Sequence, residues 1–207
     1  EMGHVEQSNK DELLLKEITT WLEKNENGKI VVFCGDKEVA DNIYKFISLK
    51  ITSVERHIEG NLPAFNTSPL YNILICDQSG EDGLNLQGKR RLAVHYSLPR
   101  TVLRIEQRIG RINRYSANNT GVLPVENLVL TPNREGFYSN WAQLLKVDIG
   151  VFNQNCSSIQ LVLDEKIDSY SRKIISHGYA ELDKLSEEIT GESGLVIKER
   201  KKVADQE

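Results

Sequence analysis

Apolar positions recur along the first two-thirds of the chain in two alternating rhythms, and each rhythm predicts an element. Leu14, Ile18, Trp21 and Leu22 fall at helical spacing and predict an amphipathic helix over Asp11 to Lys24. "KIVVFC" (Lys29 to Cys34) is a short β-branched apolar run between Gly28 and Gly35 and predicts a buried strand. Asp36 is placed to cap a following helix with Val39, Ala40, Ile43, Phe46 and Ile47 on one face. A strand near Thr52 to Ile58 follows, then an irregular stretch through Pro63 and Pro69 and the strand "NILIC" (Asn72 to Cys76). A polar, glycine-bearing loop (Asp77 to Gly88) leads to a strand from Leu92 to Tyr96, a helix from Thr101 to about Asn113 and a strand from Val125 to Leu130. Five strands alternating with helices imply an α/β class with a largely parallel sheet covered on both faces.

From Arg134 the rhythm becomes purely helical, with one stripe through Phe137, Trp141, Leu144 and Leu145 and another through Ile159, Leu163, Ile167 and Tyr170. The expected organisation is an α/β domain over 5–130 and a helical extension with a charged tail over 131–207. Glu1 to His4 fit no element, and Gly191 to Glu207, with its "KERKK" run, suits a frayed solvated tail.

Composition changes this picture little. Hydrophobic residues are 39% and charged residues 27% of the chain, which favours a globular core over disorder. A net charge of −4 provides no global basic field, so a nucleic-acid partner would need a local patch. No apolar run approaches the roughly 18 residues of a membrane helix and no signal pattern opens the chain, which points to a cytoplasmic protein without a membrane partner. Cys34, Cys76 and Cys156 are widely separated, arguing for reduced buried thiols over disulfides or zinc. His57, His95 and His177 stand apart from other metal-ligating residues, and no metal is assigned.

Ligands of open parallel sheets bind outside the carboxyl ends of the strands, so the loops and helices leaving strands carry the candidate chemistry. "DQSGEDGLNLQG" (Asp77 to Gly88) places three glycines among Glu81, Asp82, Asn85 and Gln87, a composition that suits a structural turn and a phosphate- or ribose-facing loop equally. The helix after Pro99, "TVLRIEQRIGRINR", puts Val102, Ile105, Ile109 and Ile112 on one face and Gln107, Arg111 and Arg114 on the other. Planar, permanently charged guanidiniums suit phosphate, although an arginine face is commonly just solvated. Gly110 costs about 1 kcal/mol in a helix relative to alanine, which is easier to understand where a ligand or backbone approaches.

"QRIGRINR" (Gln107 to Arg114) resembles the sixth signature motif of superfamily 2 helicases, and "SGEDGLNLQ" (Ser79 to Gln87) the fifth. With "YSLPR" (Tyr96 to Arg100), their order and spacing are similar to the Swi/Snf-like branch, especially the RapA family of RNA polymerase recycling factors and related phage-defence helicases. The resemblance spans about Lys29 to Leu130. It implies a RecA-like parallel sheet sandwiched by helices, acting as the second lobe of an ATP-dependent nucleic-acid translocase. It implies that Arg111 and Arg114 are arginine fingers and that Gln107 positions water or phosphate. Gly83 and Asn85 would contact nucleotide or couple it to the track, assisted by Glu81, Asp82 and Gly110. The implied cofactor is ATP with Mg2+, held mainly by a first lobe. The implied partners are nucleic acid, above all duplex DNA, that first lobe, and RNA polymerase or a defence complex. Tyr115-Ser116-Ala117 stands where Swi/Snf relatives commonly carry Ile-Gly-Gln, and Gly110 where many remodelers have His, which weighs against chromatin remodelling.

The 207 residues contain no G-x-x-x-x-G-K-S/T phosphate loop, so this chain alone is expected neither to bind ATP tightly nor to hydrolyse it. A Rossmann oxidoreductase is disfavoured because "CGDKEVAD" after the first strand has one glycine instead of G-x-G-x-x-G. A catalytically silent helicase-like docking module is the remaining alternative.

Overall fold

The computed structural model describes residues 2–88, 90–112, 125–131, 136–153, 156, 159–178, 180–191, 194–195 and 197–198, the side chains of 2–8 excepted. They divide into two compact units, one made of 1–98 and 107–130, the other of 99–106 and 131–207.

The first unit contains β1 (Lys29–Gly35), β2 (Val54–Arg56), β3 (Ile73–Asp77), β4 (Arg91–His95) and β5 (Glu126–Val129) in one sheet ordered β2-β3-β1-β4-β5. Every pairing is parallel. The pleat sorts β1 as its sequence demands: Ile30, Val32 and Cys34 face one cluster and Val31 and Phe33 the other. Because both faces are covered, the strand is apolar from Ile30 to Cys34. On the first face lie α1 (Met2–Lys24), through Leu14 and Ile18, and α2 (Lys37–Ser48), through Ala40, Ile43 and Ile47. The Asp36 carboxylate accepts from the amides of Glu38 (2.8 Å) and Val39 (3.2 Å), the expected N-cap of α2, a contribution of about 1 kcal/mol. The second face carries Phe65, Leu84, Leu86 and Ile112. This is a RecA-like α/β fold.

Three expectations need correction. Helix α1 begins at Met2, so Glu1 to His4 do not all lie outside an element: no proline interrupts the segment, and the helix runs past its apolar stripe. The first half of the predicted Asp77 to Gly88 loop is a short helix, α3 (Gln78–Gly83). Its glycines suggested turn chemistry, but Asp77 caps it by accepting from the Ser79 amide at 3.0 Å. Gly80 is there for room, since a Cβ would lie 3.0 Å from His57 Nδ1 and 3.1 Å from Cys76. Finally, α4 (Val102–Ile112) does not present one uniform apolar stripe to the sheet: Ile109 is only half-buried and Arg108 is buried in its place.

The second unit is helical: α5 (Phe137–Gln143), a wider π turn over Leu144–Ile149 closed by Gly150 in the left-handed region (φ 72°), α6 (Gln160–His177) and α7 (Glu181–Thr190). Trp141, Leu144, Leu145, Ile159, Leu163, Ile167 and Tyr170 are buried as their spacing predicted, while Phe137 is 40% exposed. Asp164 accepts from the Val102 and Leu103 amides (2.7 and 3.3 Å), Glu106 from the Cys156 amide (2.7 Å), and Trp141 donates to the Pro99 carbonyl (3.0 Å). The start of α4 thus belongs to the helical unit and residues 107–112 to the sheet unit. Much of the predicted tail lies outside the described residues.

All three cysteines are free and buried. Burial pushes the Cys34 thiol up to about 12 and the Cys76 thiol well above its ordinary value. No described helix is long and apolar enough to cross a membrane.

Candidate functional site

The carboxyl end of the sheet presents two regions where charge is concentrated. The first is a cleft of about 990 Å³ beyond β1, β2 and β3, with Gly35, Arg56 and Asp77 at the strand ends and Lys37, Asp41 and Lys45 on α2 in its wall. Arg56 donates to Asp41 at 2.9 Å and to Asp77 at 2.6 Å. Burial would raise the Asp77 carboxyl, but the bonds from Arg56 and Ser79 and the Arg56 charge outweigh it and hold Asp77 below the usual carboxylate range. Two other acids of the wall accept from backbone amides: Asp36 caps α2, and Glu55 accepts from the Ala64 (2.9 Å) and Phe65 (2.7 Å) amides, while Glu59 is exposed. Lys37 and Lys45 are exposed, with no ion pair to a described residue. His57 is buried beside Ser79, 3.4 Å from its hydroxyl, and desolvation lowers its pKa against the pull of Asp77.

The second region is formed by α3, the segment after it and the last turns of α4. Leu84 and Leu86 anchor that segment in the core while Gly83 and Asn85 face solvent. The Leu86 amide donates to the Arg111 carbonyl at 3.1 Å, so this segment and α4 are joined by backbone. Arg111 is half-buried, and its guanidinium donates to the Asp82 carbonyl at 2.6 Å. Gln107 and Gly110 are exposed on the same helix. A Cβ at Gly110 or Gly83 would meet nothing within 4 Å among the described residues, so no backbone described here explains either glycine. The structure therefore brings Asp82, Gly83, Asn85, Gln107, Gly110 and Arg111 to the α3–α4 surface. Glu81 is turned inward instead. Arg114 lies outside the described residues.

Glu81 forms an ion pair with Arg108 at 2.7 Å, their side chains 4% and 2% exposed. Arg108 also donates to the Ser97 carbonyl at 2.6 Å and lies over the Phe33 ring, 5.2 Å from its centre. Breaking such a buried pair from one side typically costs about 3–5 kcal/mol. Gly35 stands beside it with φ 74°, a conformation that favours glycine. Sequence reasoning overlooked Arg108, yet a signal was present: it follows Ile105 by three residues and precedes Ile112 by four, and an arginine on an apolar stripe demands a buried partner. Arg56 and Asp77 gave no comparable pattern. No described cluster of three or more His, Cys, Asp or Glu is placed to hold a metal ion.

A parallel sheet of order β2-β3-β1-β4-β5 with helices on both faces defines the class as RecA-like α/β. Residues 9–116 match the model of the helicase conserved C-terminal domain, and the chain belongs to that family. A search of curated proteins found no match. Among solved structures, the DEAD-box helicase Mss116 bound to ssRNA and UDP-BeF is 11% identical with a TM-score of 0.51, over 86% of this chain and 41% of that one. The Hef helicase domain of Pyrococcus furiosus is 22% identical with a TM-score of 0.45, over 61% and 26%. The DUF1998 helicase MrfA bound to DNA and AMPPNP is 15% identical with a TM-score of 0.46, over 78% and 24%. The chain thus spans only a part of each of these three proteins, and the likeness to Mss116, at 11% identity, speaks for the fold alone.

Proposed function

We propose that this chain is the second motor lobe of an ATP-dependent nucleic-acid translocase of superfamily 2. It works with a first lobe that supplies the phosphate loop missing from these 207 residues. The observation that carries this reading is the position of Arg111 on a helicase-family lobe: half-exposed, next to solvent-facing Gly83 and Asn85, and, among the described residues, held by a carbonyl and no carboxylate. A guanidinium so held keeps its full charge and its planar fork for a phosphoryl group presented by the other lobe. Gln107 is exposed one turn earlier, where its amide can orient water or phosphate. Arg114 is assigned as the second finger on the motif resemblance alone. ATP with Mg2+ is the substrate, and its charge shift in transfer is what the fingers would stabilise.

The cleft beyond β1 to β3 supports the track side of this reading. Its wall carries the exposed Lys37 and Lys45, which have no ion pair to a described residue and can face a phosphate backbone. Resemblance to the Swi/Snf-like branch favours duplex DNA and translocation over strand separation, with recruitment by RNA polymerase or a defence complex.

The test is Arg111→Ala in the two-lobe motor, assayed for steady-state turnover with nucleic acid and for equilibrium nucleotide binding. Turnover should fall by about 10³- to 10⁵-fold while binding is largely kept, because a finger acts on the transition state. Near-normal turnover in the folded variant removes Arg111 from the site.

A further inference from the structure

We infer that Glu81 is a positioning residue for Arg111, acting through Arg108. This rests on the proposed role of Arg111 and takes Glu81 out of direct nucleotide contact. Arg108 and Arg111 are three residues apart on α4, hence one turn apart. The two consecutive residues Glu81 and Asp82 of α3 receive them: the Glu81 carboxylate takes Arg108 at 2.7 Å, and the Asp82 carbonyl takes Arg111 at 2.6 Å. Arg108 is fixed from three directions, by Glu81 on α3, by the Ser97 carbonyl after β4, and by the Phe33 ring on β1. A side chain so fixed sets the rotation of the helix that bears it. The rotation of α4 in turn determines where Arg111 emerges.

An apolar pair of similar volume would hold α3 to α4 at least as well as buried ions do. What the ions add is direction. A planar guanidinium bonded to a carboxylate and a carbonyl and laid over a ring restricts the angle between the two helices more than apolar contacts do. Catalytic groups need that definition, since a misplacement of about 1 Å costs on the order of 100-fold in rate.

The geometric half is tested on the 207-residue chain itself. Modification by phenylglyoxal, read by mass spectrometry, should rise several-fold at Arg111 in Glu81→Gln relative to wild type, with the melting transition still cooperative. Unchanged Arg111 reactivity in the folded variant overturns the inference. The kinetic half uses the two-lobe motor. Glu81→Gln should lower kcat by about 10- to 100-fold with KM for ATP nearly unchanged. Combining it with Arg111→Ala should slow turnover no further than Arg111→Ala alone, because Glu81 acts through that side chain. Glu81→Asp, which keeps the charge, should recover part of kcat. Full kcat in Glu81→Gln, or additive losses in the double variant, overturns the inference. If Arg111→Ala itself turns over normally, the finger assignment fails instead, and the two failures stay distinct. Should Glu81→Gln lose its fold, the apolar pair Glu81→Leu with Arg108→Met carries the same assays, and wild-type kcat there is the overturning result.

Discussion

The strand-end cleft and the α3–α4 surface contain the same kinds of charged side chains and balance them in opposite ways. In the cleft one guanidinium, Arg56, serves two carboxylates, Asp41 and Asp77, and the wall carries both acids and two exposed lysines besides. On α4 two guanidiniums meet one short helix. Arg108 is neutralised by Glu81, whereas Arg111, among the described residues, donates to the Asp82 carbonyl alone. A carboxylate cancels charge; a carbonyl orients it and leaves it in place. The difference separates arginines paired within the lobe from one whose charge no described carboxylate cancels, the one assigned above as a finger on the proposed reading.

Removing Arg108 breaks this comparison most severely. Arg108→Ala leaves the Glu81 carboxylate buried without its cation and should cost about 3–5 kcal/mol in urea unfolding, against less than about 1 kcal/mol for Arg111→Ala. Equal costs would mean that the two arginines do the same structural job.

A smaller effect comes from acid. His95 is fully buried, and its pKa is pushed down to about 3, first by burial and then by the Arg108 charge. His57 is lowered as well. The unfolded chain therefore binds protons that the native state refuses, so this stability is whole above the ordinary histidine value near 6.5 and is lost as pH falls below it. Urea melts at pH 7 and pH 5 should differ by about 2 kcal/mol from His95, and His95→Gln should flatten the dependence. A wild-type dependence no steeper than that of the variant would contradict the buried neutral imidazole.

The gentlest test concerns the cleft lysines. Lys37→Gln and Lys45→Gln should leave the melt unchanged, and each should reduce the slope of log affinity against log salt for duplex DNA by about one. Weakening that is independent of salt would move the track elsewhere.

How legible all this was in the sequence depends on which signal each residue carried. The strands of the sheet and α2 with its Asp36 cap were readable because periodicity and capping are local. Gln107 and Arg111 could be placed opposite the apolar face of their helix for the same reason, whereas Gly83 and Asn85 were singled out only by the motif resemblance. Helix α3 was not readable: its six residues hold two glycines, and its stability comes from the Asp77 cap and from Gly80 packing against His57, 23 residues away in the chain. Glu81 was mistaken for a ligand-facing acid because its partner lies 27 residues further on. The Arg56–Asp77 pair, 21 residues apart, exists only once β2 and β3 are aligned. Sequence showed which residues were charged; only the fold showed which of them were already neutralised.

The burial of all three cysteines makes the lobe convenient for optical measurement. Their thiols are shielded, and those of Cys34 and Cys76 are held protonated at neutral pH, so a maleimide dye should leave the native protein almost unlabelled. A single cysteine introduced at Gly83 or Gly110, both exposed and with no described residue where a side chain would start, would then be the one reactive handle. A fluorophore at either position sits on the α3–α4 surface and reports its changing surroundings in real time, with no need to strip the native thiols from the core.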